Sequence, residues 1–212
     1  MQNKVSDNNS NQQRDNSWFA EVGRTVILSV VLALGIRTFV AEARWIPSGS
    51  MEPTLRGTPN QWEADKIIVD KVSYKFSQPN RGDIVVFSPT DALQEENYKD
   101  AFIKRVVGLP GEKVELRGGK VYINGKLLPE SYVKDKQTTV IDVCQSGRQP
   151  PFLSQLQTIP PNYYLVLGDN RSQSYDGRCW GLVPRKNIIG RAVLKFWPAN
   201  QLGPIDRSAL YE

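Results

Sequence analysis

A chain of 212 residues with 40% hydrophobic content can bury one core of ordinary domain size. Its formal charge of +5 is modest and scattered, which argues against a nucleic-acid partner and suits work beside an anionic lipid surface. There is no histidine, so every Ser-His-Asp or Cys-His mechanism is excluded, as is every histidine-ligated metal site. No metal and no cofactor are expected. Two cysteines, Cys144 and Cys179, are too few for a disulfide scaffold and lack zinc spacing. They either form one bridge outside the cytoplasm or none.

The chain opens with a polar stretch, residues 1–17, too rich in Asn, Gln and Ser to offset its ordering entropy by burying apolar surface, and a disordered tail is expected. Residues 18–41 follow as a candidate transmembrane anchor. Thr25 to Ile36 carry no charge, with Arg24, Arg37 and Arg44 at the margins. That uncharged core is short for a span, and a cleavable signal peptide or a buried soluble helix are the competing readings. If Arg37 snorkels and Arg24 sits at the interface, the apolar segment reaches roughly 20 residues, enough to cross about 30 Å of hydrocarbon. The anchor is favoured, with the tail cytoplasmic and the body outside.

Residues 42–212 change to period-two alternation and short apolar runs. Lys66 to Val69, Asp83 to Phe87, Phe102 to Val107, Lys113 to Leu116, Lys120 to Ile123, Tyr163 to Leu167 and Ile188 to Phe196 read as strands. Gly118-Gly119 and Asn124-Gly125 are hairpin signals. The expected fold is mainly β, an antiparallel meander with a single helix before it. Residues 131–158 are the least patterned and read as a loop or insertion.

Two serines stand one glycine apart in Pro47-Ser48-Gly49-Ser50-Met51-Glu52-Pro53-Thr54. The flanking prolines disfavour helix, so the serines lie on an extended turn. By itself such a turn is more often structural than catalytic. A serine nucleophile needs a base, and without histidine the base must be lysine or a carboxylate. The G-x-S-x-G elbow pattern is absent. Ser131-Tyr132-Val133-Lys134 matches S-x-x-K and Ser6-Asp7-Asn8 spells S-D-N, but K-T-G is missing and the order is reversed, so both are chance. The better base lies in Phe102-Ile103-Lys104-Arg105-Val106-Val107. Arginine does not usefully deprotonate, whereas a desolvated lysine falls by several pKa units, which singles out Lys104.

With these residues in view the chain resembles the bacterial signal peptidase I family of membrane-bound serine proteases. Four blocks in order carry the resemblance: Ile46 to Leu55, Arg81 to Phe87, Ile103 to Gly111, and Gly168-Asp169-Asn170-Arg171 running on to Ser174, Asp176, Arg178 and Trp180-Gly181. The resemblance implies Ser50 as nucleophile and Lys104 as general base. It implies that the Ser48 hydroxyl with the Ser50 N–H stabilises the oxyanion and that Ser174 orients the Lys104 amine. Arg105 with Asp169 and Asp176 with Arg178 match structural ion pairs, and Ile46, Met51, Leu55, Val86, Phe102 and Ile103 match pocket-lining positions. The implied substrates are preprotein signal peptides cut after A-x-A-like sites, the lipid bilayer is a second partner, and the protein export machinery is a possible third. Ser50 lies only about ten residues past the anchor, so the site is expected at the bilayer surface. Gly177 and Cys179 depart from the residues many relatives carry, without removing a catalytic role. The rival readings are a self-cleaving Ser-Lys repressor, for which the DNA-binding domain is missing, and a non-enzymatic membrane-anchored β-domain.

Overall fold

A computed structural model describes residues 7–144 and 150–205. By its contacts the chain separates into two units, Met1–Ala41 and Glu42–Glu212.

The first unit is a single helix, α1 (Asp7–Phe39). Residues 7–17, expected as part of a disordered tail, continue this helix. Extending a formed helix adds a hydrogen bond for each residue fixed, so an apolar segment can carry a polar one along. Met1 to Ser6 lie outside the described residues. Val26, Ile27, Leu28, Val30, Val31, Leu32 and Leu34 are all exposed on α1, on every side of the helix. Among the described residues no helix is long and apolar enough to cross a membrane.

The second unit holds β1 (Ala41–Trp45) from Glu42 on, β2 (Lys66–Asp70), α2 (Ser73–Phe76), β3 (Ile84–Phe87), α3 (Asp91–Glu95) and β4 (Phe102–Gly108). Then come β5 (Lys113–Arg117), β6 (Lys120–Ile123), β7 (Lys126–Leu127), β8 (Gln157–Thr158), β9 (Tyr163–Leu167), α4 (Gly177–Trp180), β10 (Val183–Pro184), β11 (Ile188–Trp197) and β12 (Gly203–Pro204). All seven runs read as strands are strands. The larger sheet has the order β1-β2-β11-β3-β4-β9-β10, with β12 on β11, and the smaller one β7-β6-β5-β8. The described pairings are antiparallel.

A meander describes only β5-β6-β7, whose two turns are the Gly118-Gly119 and Asn124-Gly125 pairs with positive φ. The larger sheet is not a meander. Its late strand β11 enters between β2 and β3, pairing Ala192 with Val69 on one side and Arg191 with Val85 on the other. Such a pairing is decided by which apolar faces fit over long sequence separations, so no local pattern announces it.

Three apolar clusters fill the unit. One packs Val85, Phe87, Val106, Val166 and Trp180; one packs Val107, Val114, Val121, Leu165 and Leu167; one packs Ile46, Met51, Leu55, Ile67 and Ile84. Each buried aliphatic or aromatic side chain here contributes on the order of 2 kcal/mol by leaving water. Strand β4 runs where all three meet, between β3 and β9, with Lys104 opposite Val85 and Arg105 opposite Ile84 and Leu167. Of the region 131–158, residues 145–149 lie outside the described residues, and the rest is held to the body at several points. Tyr132, Val133, Cys144 and Leu153 are buried in it, and Cys144 is disulfide-bonded to Cys179 of α4.

Candidate active site

Ser50 sits in a 3-10 turn, Gly49–Met51, entered through Ser48 in extended geometry. The turn is short because Pro47 and Pro53 bracket it and cannot supply helical donors. It is gripped from outside: the Asn170 backbone N–H donates to the Ser50 carbonyl at 3.1 Å and Asn170 Nδ2 donates to the Gly49 carbonyl at 3.0 Å. Two glycines permit this packing. A Cβ on Gly57 would come within 1.7 Å of the Ser48 carbonyl oxygen, and one on Gly168 within 2.1 Å of Ser174 Oγ and 2.5 Å of the Ser50 carbonyl oxygen.

Lys104 rises from β4 and is only 4% exposed. Its Nζ lies 2.9 Å from Ser50 Oγ and donates to the Ile103 carbonyl at 3.0 Å. Ser48 Oγ donates to Ser50 Oγ at 3.3 Å. The two hydrogen-bond partners of the lysine are therefore a hydroxyl and a carbonyl, both neutral. Burial drives the Lys104 pKa down from 10.5 to about 8; Asp176 and Asp169 pull it back up by their charge, and Arg178 opposes them. At that value roughly one lysine in ten is neutral at pH 7, against fewer than one in a thousand for a solvated one.

Arg105, the next residue along β4, points the other way. It donates to both oxygens of Asp169, at 2.8 and 2.7 Å, and to the Gly82 carbonyl at 2.9 Å. Thr54 Oγ1 donates to the same carboxylate at 2.6 Å, and the guanidinium lies 4.2 Å from the Tyr132 ring centre. Asp176 holds Arg178 through two bonds of 2.8 and 2.9 Å and accepts the Gly168 N–H at 3.0 Å. Burial works against the ionised Asp176, but Arg178, the Gly168 N–H and Ser174 together hold its pKa below the usual carboxylate range.

Ser174 is brought to the site but does not bond the lysine. Its hydroxyl is buried beside Gly168, on the side of Asp176, whose carboxyl it helps to keep ionised. Of the six pocket positions, Ile46, Val86, Phe102 and Ile103 line a cleft of about 370 Å³ together with Ala43, Trp45 and Ala101. Phe102 and Ile103 also line an adjoining cleft of about 580 Å³ that contains Ser48, Ser50 and Lys104. Met51 and Leu55 line neither and are wholly buried in the core under the serine turn.

Several residues here carried no signal strong enough to assign a role from sequence. Arg171 is fully buried, pairs with Glu130, bonds Thr139 and donates to the Gly168 carbonyl at 3.0 Å. Asn170 and Arg171 stand in a recognised block, yet Glu130, Thr139 and Gly57 are recognisable only once the chain is folded.

Residues 19–197 match the family model described as "Signal peptidase, peptidase S26". The chain belongs to that family, a class of serine endopeptidases. It is 50% identical over 198 residues to a signal peptidase I of Leptolyngbya laminosa, covering 92% of this chain and 88% of that protein. It is 48% identical over 189 residues to the probable signal peptidase I-2 of Synechocystis sp., covering 89% and 78%. The crystal structure of a signal peptidase I from Enterococcus faecalis has 32% identity, covers 54% of this chain and 97% of its own, and gives a TM-score of 0.39.

Proposed function

We propose that this chain is a membrane-anchored signal peptidase that cuts exported preproteins after small residues, through a Ser50–Lys104 dyad and an acyl-enzyme. The observation that carries the reading is the 2.9 Å approach of Lys104 Nζ to Ser50 Oγ inside a buried site where the lysine bonds no carboxylate. A lysine so desolvated has access to the neutral form that a general base requires. Neutral Lys104 takes the hydroxyl proton as Ser50 Oγ attacks the scissile carbonyl. The Ser48 hydroxyl, with the Ser50 N–H, donates to the oxyanion, replacing water with fixed dipoles. The Lys104 ammonium then gives its proton to the departing amine, and the same lysine activates the water that clears the acyl-enzyme.

Arg105–Asp169 and Arg178–Asp176 act at one remove, fixing the turns that grip Ser50 and Gly168. Ser174 is assigned to positioning Lys104 once substrate tightens the site, since apo geometry is commonly looser than that of the reacting complex. The two clefts suit an extended peptide whose small residues before the cut lie between Ile46, Val86 and Ile103. Supporting the anchor are the apolar side chains exposed all round α1, whose contact with water would be unfavourable. Its uncharged core spans only about 18 Å, so Arg24 and Arg37 have to reach the interface with their own side chains. The disulfide and the anchor together support an extracytoplasmic catalytic body with the N-terminus cytoplasmic. The bilayer and preprotein signal peptides are the partners, and the export machinery that delivers preproteins is a third.

Cleavage of a preprotein in detergent by the wild type, Ser50→Ala and Lys104→Ala tests this reading. Both variants are expected to keep their circular-dichroism spectrum and lose cleavage. Full activity in either would remove that residue from the mechanism. The wild-type rate is expected to climb with pH and level off above about 8, as Lys104 deprotonates. A profile flat from about pH 5 to 10 would exclude a lysine base.

A further inference from the structure

The cleft holding the dyad extends past it to a wall that the mechanism does not use. Asn97, Tyr98, Lys99, Gln173 and Tyr175 line that end. Tyr98 stands edge-on to Phe102, with ring centres 5.4 Å apart, and lies 6.1 Å from Tyr175. Tyr98 keeps 42% of its surface exposed, so its ring is available. The Tyr175 hydroxyl donates to Glu96, 2.8 and 2.7 Å from its two carboxylate oxygens. Burial and that carboxylate raise the phenol pKa well above its ordinary value, so it stays a donor throughout the alkaline range where Lys104 works. The bond ties the segment after α3 to the turn that carries Ser174. The wall is thus two aromatic rings held upright from two separate parts of the chain.

The two clefts share Pro47 and Asp100 to Ile103, but only the second contains Ser50 and Lys104. A peptide lying extended through the first cleft passes the shared residues Asp100 to Ile103 into the second, whose lining includes Ser50 and Lys104 together with Tyr98 and Tyr175. We infer that Tyr98 and Tyr175, braced by Glu96, form the subsite for the first residue after the scissile bond, and that it favours a side chain able to lie flat on an aromatic ring. This rests on the proposed Ser50–Lys104 peptidase reading. Neither tyrosine is a catalytic residue in this scheme; they set which mature N-termini leave efficiently.

The test uses the full-length protein in detergent with peptides that share one A-x-A site and carry Phe, Leu or Gly directly after the cut. A second set varies the residue directly before it. For the wild type, kcat/KM is expected to favour Phe over Gly after the cut by about tenfold, the size of effect that a single pocket contact gives. Tyr98→Ala and Tyr175→Ala should bring that ratio close to one while leaving preference before the cut unchanged. Tyr175→Phe, which keeps the ring and loses only the bond to Glu96, guards against misfolding and should fall between. A wild type that cuts none of the peptides overturns the peptidase reading and the subsite with it. A wild type that cuts them, with variants whose after-cut ratio is unchanged or whose before-cut preference moves instead, overturns the subsite alone.

Discussion

Two consecutive cations of β4 are buried to nearly the same degree, 4% exposed for Lys104 and 1% for Arg105, yet they meet opposite surroundings. Arg105 is saturated: a bidentate carboxylate, a carbonyl and an aromatic face take up its charge. Burial works against its charge, but the Asp169 bonds outweigh that and raise its pKa. Lys104 meets a hydroxyl, a carbonyl and, at 5.8 Å, the Phe102 ring, but no carboxylate, and its pKa falls. The chemistry explains which residue stands where. A guanidinium is always charged and matches a carboxylate fork, whereas an ammonium can surrender its proton once desolvated. One strand therefore carries a structural cation on one side and a potential base on the other, and the sheet keeps them apart.

The comparison breaks most violently if the paired cation is removed. Arg105→Ala leaves the Asp169 carboxylate wholly buried with, among the described residues, only Thr54 to bond it, and breaking a buried pair in this way typically costs about 3–5 kcal/mol. Urea unfolding should show that loss. A change within 1 kcal/mol would mean that the pair is better solvated than its burial indicates. Removing the unpaired cation should act in the opposite sense. Lys104 has a folded-state pKa of about 8 against 10.5 in the unfolded chain. Between those values the unfolded state binds a proton that the folded state has given up, so stability rises with pH across that window. Below pH 8 the full cost of burying the charge is present, on the order of 3 kcal/mol. Lys104→Met should accordingly be more stable than the wild type at pH 7, by up to about that amount, with the gain gone above about pH 10.5. Equal stability at every pH would sink the desolvation argument.

The two cations also differ in how far the sequence revealed them. Strand alternation required that Lys104 and Arg105 point apart, and the absence of histidine left a lysine or a carboxylate as base, of which Lys104 was the candidate because arginine does not usefully deprotonate; both follow from residue chemistry alone. That Arg105 meets Asp169 came only with the family resemblance, since 64 positions separate them and spacing cannot reveal the contact. The strands were legible because β-branched runs and two glycine turns mark them. The insertion of β11 between β2 and β3 was not, because it depends on long-range register. Met51 and Leu55 match pocket positions only through the resemblance and read as core by their apolar character; both are wholly buried at the turn Gly49–Met51 and just after it. Gly57 has no pattern around it; only folding shows its Cβ would strike the Ser48 backbone.

Between those extremes lies a loss of rate without a large loss of fold. Gly57→Ala forces the Ser48 backbone to move, because an atom cannot sit 1.7 Å from its carbonyl oxygen. Misplacing an oxyanion donor by about an ångström costs roughly 100-fold in kcat. Preprotein cleavage should fall by about that factor while KM changes little. An unaltered kcat would show that Ser48 tolerates displacement and is not the oxyanion donor.

The smallest effect is expected at the outer edge of the serine turn. Lys134, from the region read as an insertion, bonds Glu52 at 2.7 Å, and its N–H donates to the Asp169 carbonyl at 3.1 Å. Both side chains are about 30% exposed, so the ion pair is screened by solvent and should contribute little. The backbone bond does not depend on the side chain. Lys134→Met should therefore lower stability only slightly, and added salt should erase the difference, since screening already weakens the pair in the wild type. A loss comparable to that of Arg105→Ala, and insensitive to salt, would move this pair into the same class as Arg105–Asp169. That would make residues 131–144 a buried brace for the serine turn.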